Sequence, residues 1–448
     1  MRSMEGYDNL WMPFTSYQDF IDYPPLVIKN GEGIYLYDKD GNKYIDGIGS
    51  WWVSIFGHNN KYIKDAIKKQ LDDLEHVHMA GCISTTTLEL SRKLGAILPT
   101  GLDRIFYSDN GSTSVEVAMK IALQYHYIRS ENRTKFVSLD GGYHGDTLGA
   151  ASVGAIPVYH SVFQETFKKH LYTDAPYCYR CPVGKDASTC NAECMDSLET
   201  ILKEQGDEIA ACLFEPMVQG AVGMRVYPSK VLKRIFSLCR RYDVLTIADE
   251  VAMGLGRTGK LFACDHAEHV PDMMCLSKGL TAGFLPLSAT IVKESIYKEF
   301  CSDYRSERTF QHGHTFTGNP VASAASVATL DLIAQYDIPR SLEKITGYFH
   351  KEMMKFSDLE CVGDIRVLGT VGALEIVKDR KTKEKHAPEE RFTFKVARKA
   401  LNHGLIIRPL GNVLYFMLPY NITEEQIFTM LSGTRKSIKE VLDDSCNS

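Results

Sequence analysis

The sequence predicts an α/β protein in which a large, mostly parallel sheet is joined to a smaller α+β unit. Three observations carry the prediction. Strand-like apolar runs in the middle of the chain alternate with helical patterns, and that alternation changes character toward the C-terminus. Length is the third: 448 residues exceed what one hydrophobic core normally serves, so two or three domains are expected.

The first element is a small antiparallel meander over residues 26–47. Leu26-Val27-Ile28 and Ile34-Tyr35-Leu36-Tyr37 read as short strands, and Lys39-Asp40-Gly41-Asn42 as a turn. From Tyr62, the apolar residues Ile63, Ala66, Ile67, Leu71 and Leu74 recur at helical spacing. Residues 104–107, 135–138, 210–214, 244–248 and 287–292 are strand-like, and helical patterns at 115–125 and 231–239 lie between some of them. Such βα alternation places parallel strands between two layers of helices. After a small-residue helix near 321–334, the order reads helix, strand, helix, strand, strand, helix, with strands near 369–377 and 413–417. The expected division is an N-terminal segment of the small unit (1–60), a large domain (61–335) and a C-terminal α+β domain (336–448).

Composition narrows the function class. The chain is 44% hydrophobic and 24% charged with a net charge of −5, ordinary for a soluble protein. It lacks the basic block that nucleic acid or an anionic membrane would call for. No apolar run approaches the roughly 20 residues of a membrane span. Met1-Arg2-Ser3-Met4-Glu5-Gly6 has no apolar core of a secretory signal, so a cytoplasmic enzyme is expected. Of twelve cysteines, eight are scattered singly, among them Cys82, Cys212, Cys239 and Cys275. The others cluster as Cys178, Cys181, Cys190 and Cys194 in a loop-like segment, read either as a four-thiolate zinc knot or as a reduced or adventitiously paired loop. No catalytic or metal role is assigned to them.

The residues that carry chemistry lie after the predicted strands. Asp249 ends the run Val244-Leu245-Thr246-Ile247-Ala248, and Lys278 follows Met273-Met274-Cys275-Leu276. A lysine amine condenses with an aldehyde cofactor, and a carboxylate against a pyridine nitrogen keeps that ring protonated and able to accept electrons. A lysine at a strand end is, taken singly, usually a solvated surface group. Ser108-Asp109-Asn110-Gly111-Ser112 opens a helix and reads either as an ordinary cap or as an anion site of free amides. In Gly141-Gly142-Tyr143-His144-Gly145-Asp146, Tyr143 either stacks on a flat ligand or sits in a surface turn, with Asp146 orienting polar neighbours. Glu215-Pro216 and Gln219-Gly220 follow another strand, at the edge where ligands of α/β sheets collect. Gly254-Leu255-Gly256-Arg257-Thr258-Gly259 reads equally as a loop presenting Arg257 near a cofactor and as a simple turn. Gln311-His312-Gly313-His314-Thr315-Phe316-Thr317-Gly318-Asn319-Pro320 supplies more hydroxyl and amide donors. A phosphate loop, a stacking tyrosine, an acid and an amine occur in an order that one cofactor could use.

On these motifs, and on Asp249-Glu250-Val251 through Lys278-Gly279 above all, the chain resembles the class III (omega) aminotransferases of fold type I over essentially its whole length. Within that class, Leu10-Trp11-Met12-Pro13-Phe14-Thr15, Ser50-Trp51-Trp52, Met217-Val218-Gln219-Gly220-Ala221 and Ile407-Arg408-Pro409 are similar to the branch that acts on 8-amino-7-oxononanoate in biotin biosynthesis. The resemblance implies a pyridoxal 5'-phosphate (PLP) transferase with a large domain and a small α+β domain built from both chain ends. It implies that Lys278 holds the cofactor and moves the Cα proton, that Asp249 pairs with the pyridinium nitrogen, and that Tyr143 lies against the ring. Gly111 and Ser112 would bind the phosphate, with His314 and Thr315 reaching it from the other subunit of an obligate homodimer. Phe14, Trp51, Trp52, Tyr143 and Gly313 would line the substrate site, and Arg408 would take the substrate carboxylate, a task suited to a bidentate guanidinium. Users of S-adenosylmethionine commonly have Tyr where this chain has Phe14, whereas Trp51-Trp52 points toward that donor; it is the one expected, with lysine as the alternative. His314 stands where some members have Pro. The rival readings are another class III transferase of ω-amino acids or diamines, an aminomutase on the same scaffold, and a zinc-binding interaction module.

Overall fold

The computed structural model describes residues 9–446, and the Met1–Gly6 stretch lies outside the described residues. Seven strands form the large sheet, in the spatial order Leu102–Ser108, Ser288–Lys293, Met273–Leu276, Leu245–Asp249, Ile209–Phe214, Lys135–Leu139 and Leu171–Thr173. The five strands from Met273–Leu276 to Leu171–Thr173 pair in parallel, while Ser288–Lys293 runs antiparallel to both its neighbours. The strand Ile209–Phe214 is buried throughout, as a strand covered on both faces must be. Helix Ser229–Arg241 covers the sheet with Val231, Leu232, Ile235, Phe236, Leu238 and Cys239, an apolar stripe at three- and four-residue spacing.

The antiparallel meander forms, with Ile28–Glu32, Tyr35–Asp38 and Lys43–Asp46 pairing, but its first strand begins at Ile28 rather than covering Leu26–Ile28. Its last strand takes a fourth partner from the far end of the chain: Leu405 and Ile406 pair in parallel with Ile45 and Asp46. A second antiparallel sheet follows the order Val362–Leu368, Val371–Ile376, Val413–Met417 and Pro409–Leu410. Here the structure corrects the expected order, because a hairpin stands where one strand was predicted between the helices Glu343–Met354 and Phe392–Asn402. The missed strand Val362–Leu368 carries Gly363, Asp364 and Arg366, whose polarity masks its alternation.

One hydrophobic cluster runs from the large sheet (Phe214, Ala248) through Trp52 into the small one (Val371, Ala373, Tyr415, Met417). The two sheets therefore share packing around Trp52. Among the described residues, no helix is long and apolar enough to cross a membrane.

Candidate active site

Asp249, Lys278, Glu215 and the Tyr143 loop all follow the C-terminal ends of adjacent parallel strands, where an α/β sheet opens its crevice. A cavity of about 420 Å³ lies there, lined by Gly111, Ser112, Tyr143, His144, Glu215, Asp249, Lys278 and Trp52 among others. The structure thus brings together the lysine, the acid, the tyrosine and the helix N-terminus that the sequence singled out.

Asp249 sits at the floor. Its Oδ2 lies 2.8 Å from His144 Nδ1 and its Oδ1 accepts the Val251 amide at 3.1 Å. Lys278 has a left-handed backbone (φ 44°), and its ammonium lies 4.8 Å from the Trp52 ring centroid. Among the described residues no hydrogen-bond acceptor meets that ammonium. Burial depresses its pKa, and the charges of Asp249 and Glu215 only partly oppose this. A desolvated lysine without a bound partner is biased toward the neutral amine, the form that attacks carbonyls and accepts protons.

The helix Gly111–Ile128 begins with Asn110 capping the Thr113 amide, which leaves the Gly111 and Ser112 amides without acceptors among the described residues. Two free amides at the positive end of an 18-residue helix form an anion cradle. Close approach is built in. A Cβ on Gly111 would stand 2.6 Å from Val251 Cγ1, and one on Gly145 would stand 2.0 Å from Ser112 Oγ. Ser112 Oγ accepts the Asp146 amide at 3.1 Å.

Tyr143 is held at both ends. Its amide donates to Glu215 Oε2 (3.1 Å) and its hydroxyl to Asp146 Oδ2 (2.8 Å); burial, then Asp146, keeps the phenol protonated. Glu215 also accepts the Gly220 amide at 2.8 Å, and burial pushes its carboxyl up to about 7. Sequence reasoning placed Glu215 at the crevice without a role, and gave His144 none. Their signal was position alone: His144 stands beside Tyr143 inside its motif, and Glu215 directly follows the strand Ile209–Phe214.

A second cavity of about 460 Å³ adjoins the first through Trp52, Val53, Tyr143 and Lys278, and adds Phe14, Trp51, Tyr159 and Arg408. Phe14 meets Trp51 edge-on at 5.6 Å, and the Arg408 guanidinium lies 4.6 Å from the Trp51 centroid. Ser50, Trp51 and Trp52 all have positive φ (44°, 68° and 79°), a backbone that costs non-glycine residues about 1–3 kcal/mol each. This turn sends Trp51 to the open cavity and Trp52 into the core. Arg257 holds it by donating to the carbonyls of Trp52 (3.0 Å), Ser54 (3.3 Å) and Leu418 (2.5 Å). The glycine-flanked loop therefore does not present Arg257 to the cofactor cavity; it buries the guanidinium as a clamp on backbone.

Gly313, His314 and Thr315 line neither cavity within one chain. His314 Nδ1 lies 2.7 Å from Oδ2 of Asp109, which does line the first, while Gly313 and Thr315 are exposed. Cys178, Cys181, Cys190 and Cys194 are free thiols. Their loop is held by Lys230, which donates to the carbonyls of Ala187 (2.8 Å) and Cys190 (2.6 Å). Among the described residues no group of three or more His, Cys, Asp or Glu is arranged to hold a metal ion.

A flat pyridine ring carrying an aldehyde and a phosphate fits these residues. The free amides suit the phosphate, Asp249 the ring nitrogen, unpaired Lys278 the aldehyde and Tyr143 the ring face. Comparison with known proteins agrees. Residues 18–438 match the family Aminotransferase class-III. The adenosylmethionine-8-amino-7-oxononanoate aminotransferase of Geobacter sulfurreducens is 43% identical, over 97% of this chain and 96% of its own. The crystal structure of the enzyme of that name from Methanocaldococcus jannaschii superposes with a TM-score of 0.92 at 37% identity, covering 97% of this chain and 98% of that one. An amine transaminase from an uncultivated Pseudomonas species, in its PLP-bound form, gives a TM-score of 0.92 at 32% identity over 97% and 99% of the two chains. The chain belongs to the class III aminotransferases.

Proposed function

We propose that this protein is a PLP-dependent aminotransferase that converts 8-amino-7-oxononanoate to 7,8-diaminononanoate in biotin biosynthesis, with S-adenosylmethionine as amino donor. The observation that carries the reading is the aromatic cavity of Phe14, Trp51 and Arg408 opening directly onto Lys278. Its walls suit an aliphatic chain and its guanidinium a carboxylate. The relatives bearing the corresponding name, such as that of Geobacter sulfurreducens, support it.

PLP, when bound, supplies an aldehyde that takes up the amino group and a ring that draws electrons from a Cα–H bond. The chain's own residues do the rest. Lys278 holds the cofactor and, as a neutral amine, takes the Cα proton on Nζ. Asp249, fixed by His144, would pair with the ring nitrogen. Gly111 and Ser112 bind the phosphate through their amides. Tyr143 would lie against the ring, and Trp52 helps exclude water beside Lys278. Arg408 pairs with the substrate carboxylate, and Phe14, Trp51 and Trp52 form the wall.

Gly313, His314 and Thr315 act from a second copy, so the working unit is a homodimer with shared sites. The exposure of Gly313 and Thr315, outside both cavities of their own chain, supports this reading. The cytoplasm is the proposed setting, supported by eleven free cysteines among the described residues. Lysine as donor is the second reading, favoured by Phe14, which has no hydroxyl. Transfer to another ω-amino acid or diamine is the third, favoured by the likeness to an amine transaminase.

The test is a half-reaction on the cofactor-loaded enzyme. S-adenosylmethionine should remove its visible absorbance, and 8-amino-7-oxononanoate should restore it. Removal by lysine alone selects the second reading, and removal only by small amines selects the third.

A further inference from the structure

Tyr159 lies on the short helix Pro157–His160, in a stretch with no recognisable motif. Its ring meets Phe14 edge-on at 5.4 Å and Tyr143 at 6.1 Å. It shares the 460 Å³ cavity with Trp51, Lys278 and Arg408. The polar groups of that cavity are unequally committed. The Tyr143 hydroxyl is bonded to Asp146 and the Ser50 hydroxyl to Asp46, both at 2.8 Å. Phe14 has no hydroxyl. Among the described residues, the Tyr159 hydroxyl and the Arg408 guanidinium have no hydrogen-bond acceptor. Burial raises the Tyr159 phenol, Arg408 opposes this, and Asp146 adds a smaller upward push, so the hydroxyl keeps its proton and senses the guanidinium's field.

Lys278, beside Trp52, serves the cofactor; the Tyr159 hydroxyl beside Phe14 and the Arg408 guanidinium beside Trp51 are the unpaired donors left for the substrate, and one acceptor would satisfy both. A half-buried guanidinium and phenol are poorly hydrated there, and a carboxylate satisfies both with charge-assisted hydrogen bonds. We infer that Tyr159 is a specificity-determining residue: its hydroxyl donates a hydrogen bond to the substrate carboxylate that Arg408 pairs with, in a wall where Phe14 offers none. This rests on the keto-acid reading of the same site. Tyr159 and Arg408 together recognise acid-bearing substrates, and Tyr159 sets how strongly the acid is preferred over its neutral analogue.

The test compares wild type and Tyr159→Phe as PLP-loaded enzymes. The probes are heptanoate, which spans the carboxylate-to-ketone stretch of the substrate, and methyl heptanoate, which has the same chain without the charge. Calorimetric titration should show heptanoate binding weakened about tenfold in Tyr159→Phe, the scale of one hydrogen bond to a charged group. Methyl heptanoate binding should be unchanged. In turnover, KM for 8-amino-7-oxononanoate should rise about tenfold with kcat within about twofold, as for an interaction equally strong in ground and transition states. Equal heptanoate binding by the two proteins overturns the inference. So does equal weakening for acid and ester, which means a disturbed wall. Wild-type enzyme that reacts with small amines, yet neither binds heptanoate nor consumes the keto acid, overturns the substrate reading and this inference with it.

Discussion

Lys278 and Glu250 are two buried ionisable groups whose protonation is set by their surroundings in opposite ways. Burial lowers the Lys278 ammonium and, among the described residues, no hydrogen-bond acceptor opposes this, which suits the proposed role of carrying and releasing a proton. Replacing it with Ala should lower kcat by about 10⁴-fold or more, while the helix amides still hold PLP, measurable by equilibrium dialysis. Asp249→Asn should keep the cofactor but lose roughly 100-fold in rate, since a preorganised charge is removed without loss of volume; steady-state turnover reads it. Glu250, next to Asp249, accepts the amides of Ala263 (2.9 Å) and Cys264 (2.8 Å). Burial nevertheless pushes its carboxyl up to about 7 from 4.5. A carboxyl raised in the folded state binds its proton more tightly there than in the unfolded chain. Its stabilisation is thus full below pH 4.5 and is lost as pH rises through about 7. Wild type should lose stability on the order of 3 kcal/mol from this group between pH 4.5 and about 7. Glu250→Gln should flatten that slope in urea unfolding. Asp249 and Lys278 were legible because each ends an apolar run. Tyr159 was not, because its helix has no periodic pattern and its partners stand far away in sequence.

At the scale of elements, the site depends on turns that admit almost no substitution. Gly145 has φ 123° and faces Ser112 Oγ at a separation no Cβ tolerates. Gly145→Ala should displace Ser112 from the cradle and weaken PLP binding by about 100-fold, the cost of losing one or two charge-assisted hydrogen bonds; absorbance titration of the cofactor-free protein checks it. The Ser50–Trp52 turn is held in its strained form by Arg257, whose guanidinium ties the carbonyls of Trp52 and Ser54 to that of Leu418. Arg257→Met should leave those carbonyls buried and unpaired, a loss of about 3 kcal/mol or more in stability, with turnover falling as Trp52 shifts beside Lys278. The glycines around Arg257 were visible in the sequence. The direction of its side chain was not, because a turn has the same composition whether its arginine faces a ligand or a carbonyl. The strand Val362–Leu368 was hidden for a related reason: Arg366 is buried in it, donating to Glu375 at 2.8 Å, so polarity did not mark the solvent side.

For the whole molecule, the proposed sharing of sites between two copies gives a complementation test. Lys278→Ala and Thr315→Ala chains, each nearly inactive alone, should regain about a quarter of wild-type activity when mixed, dissociated and reassembled. Random pairing makes half the dimers mixed, each with one intact site. Continued inactivity would place Thr315 outside the partner's site. The large sheet was readable because parallel strands buried on both faces are continuous apolar runs. The joining of the two chain ends was not, since Leu405–Ile406 is a two-residue strand with nothing in its composition to name Lys43–Asp46 as its neighbour. That pairing has a consequence for biogenesis. The strand leading into the tryptophan turn is made early, but its partner leaves the ribosome some 360 residues later, roughly 20 to 70 s at ordinary synthesis rates. Through that interval the N-terminal meander has an open edge, a template for pairing with other nascent chains. The residues that line the cofactor cavity have all been made once Leu287 is added, whereas the substrate cavity still waits for Arg408 and Leu410 from the late segment.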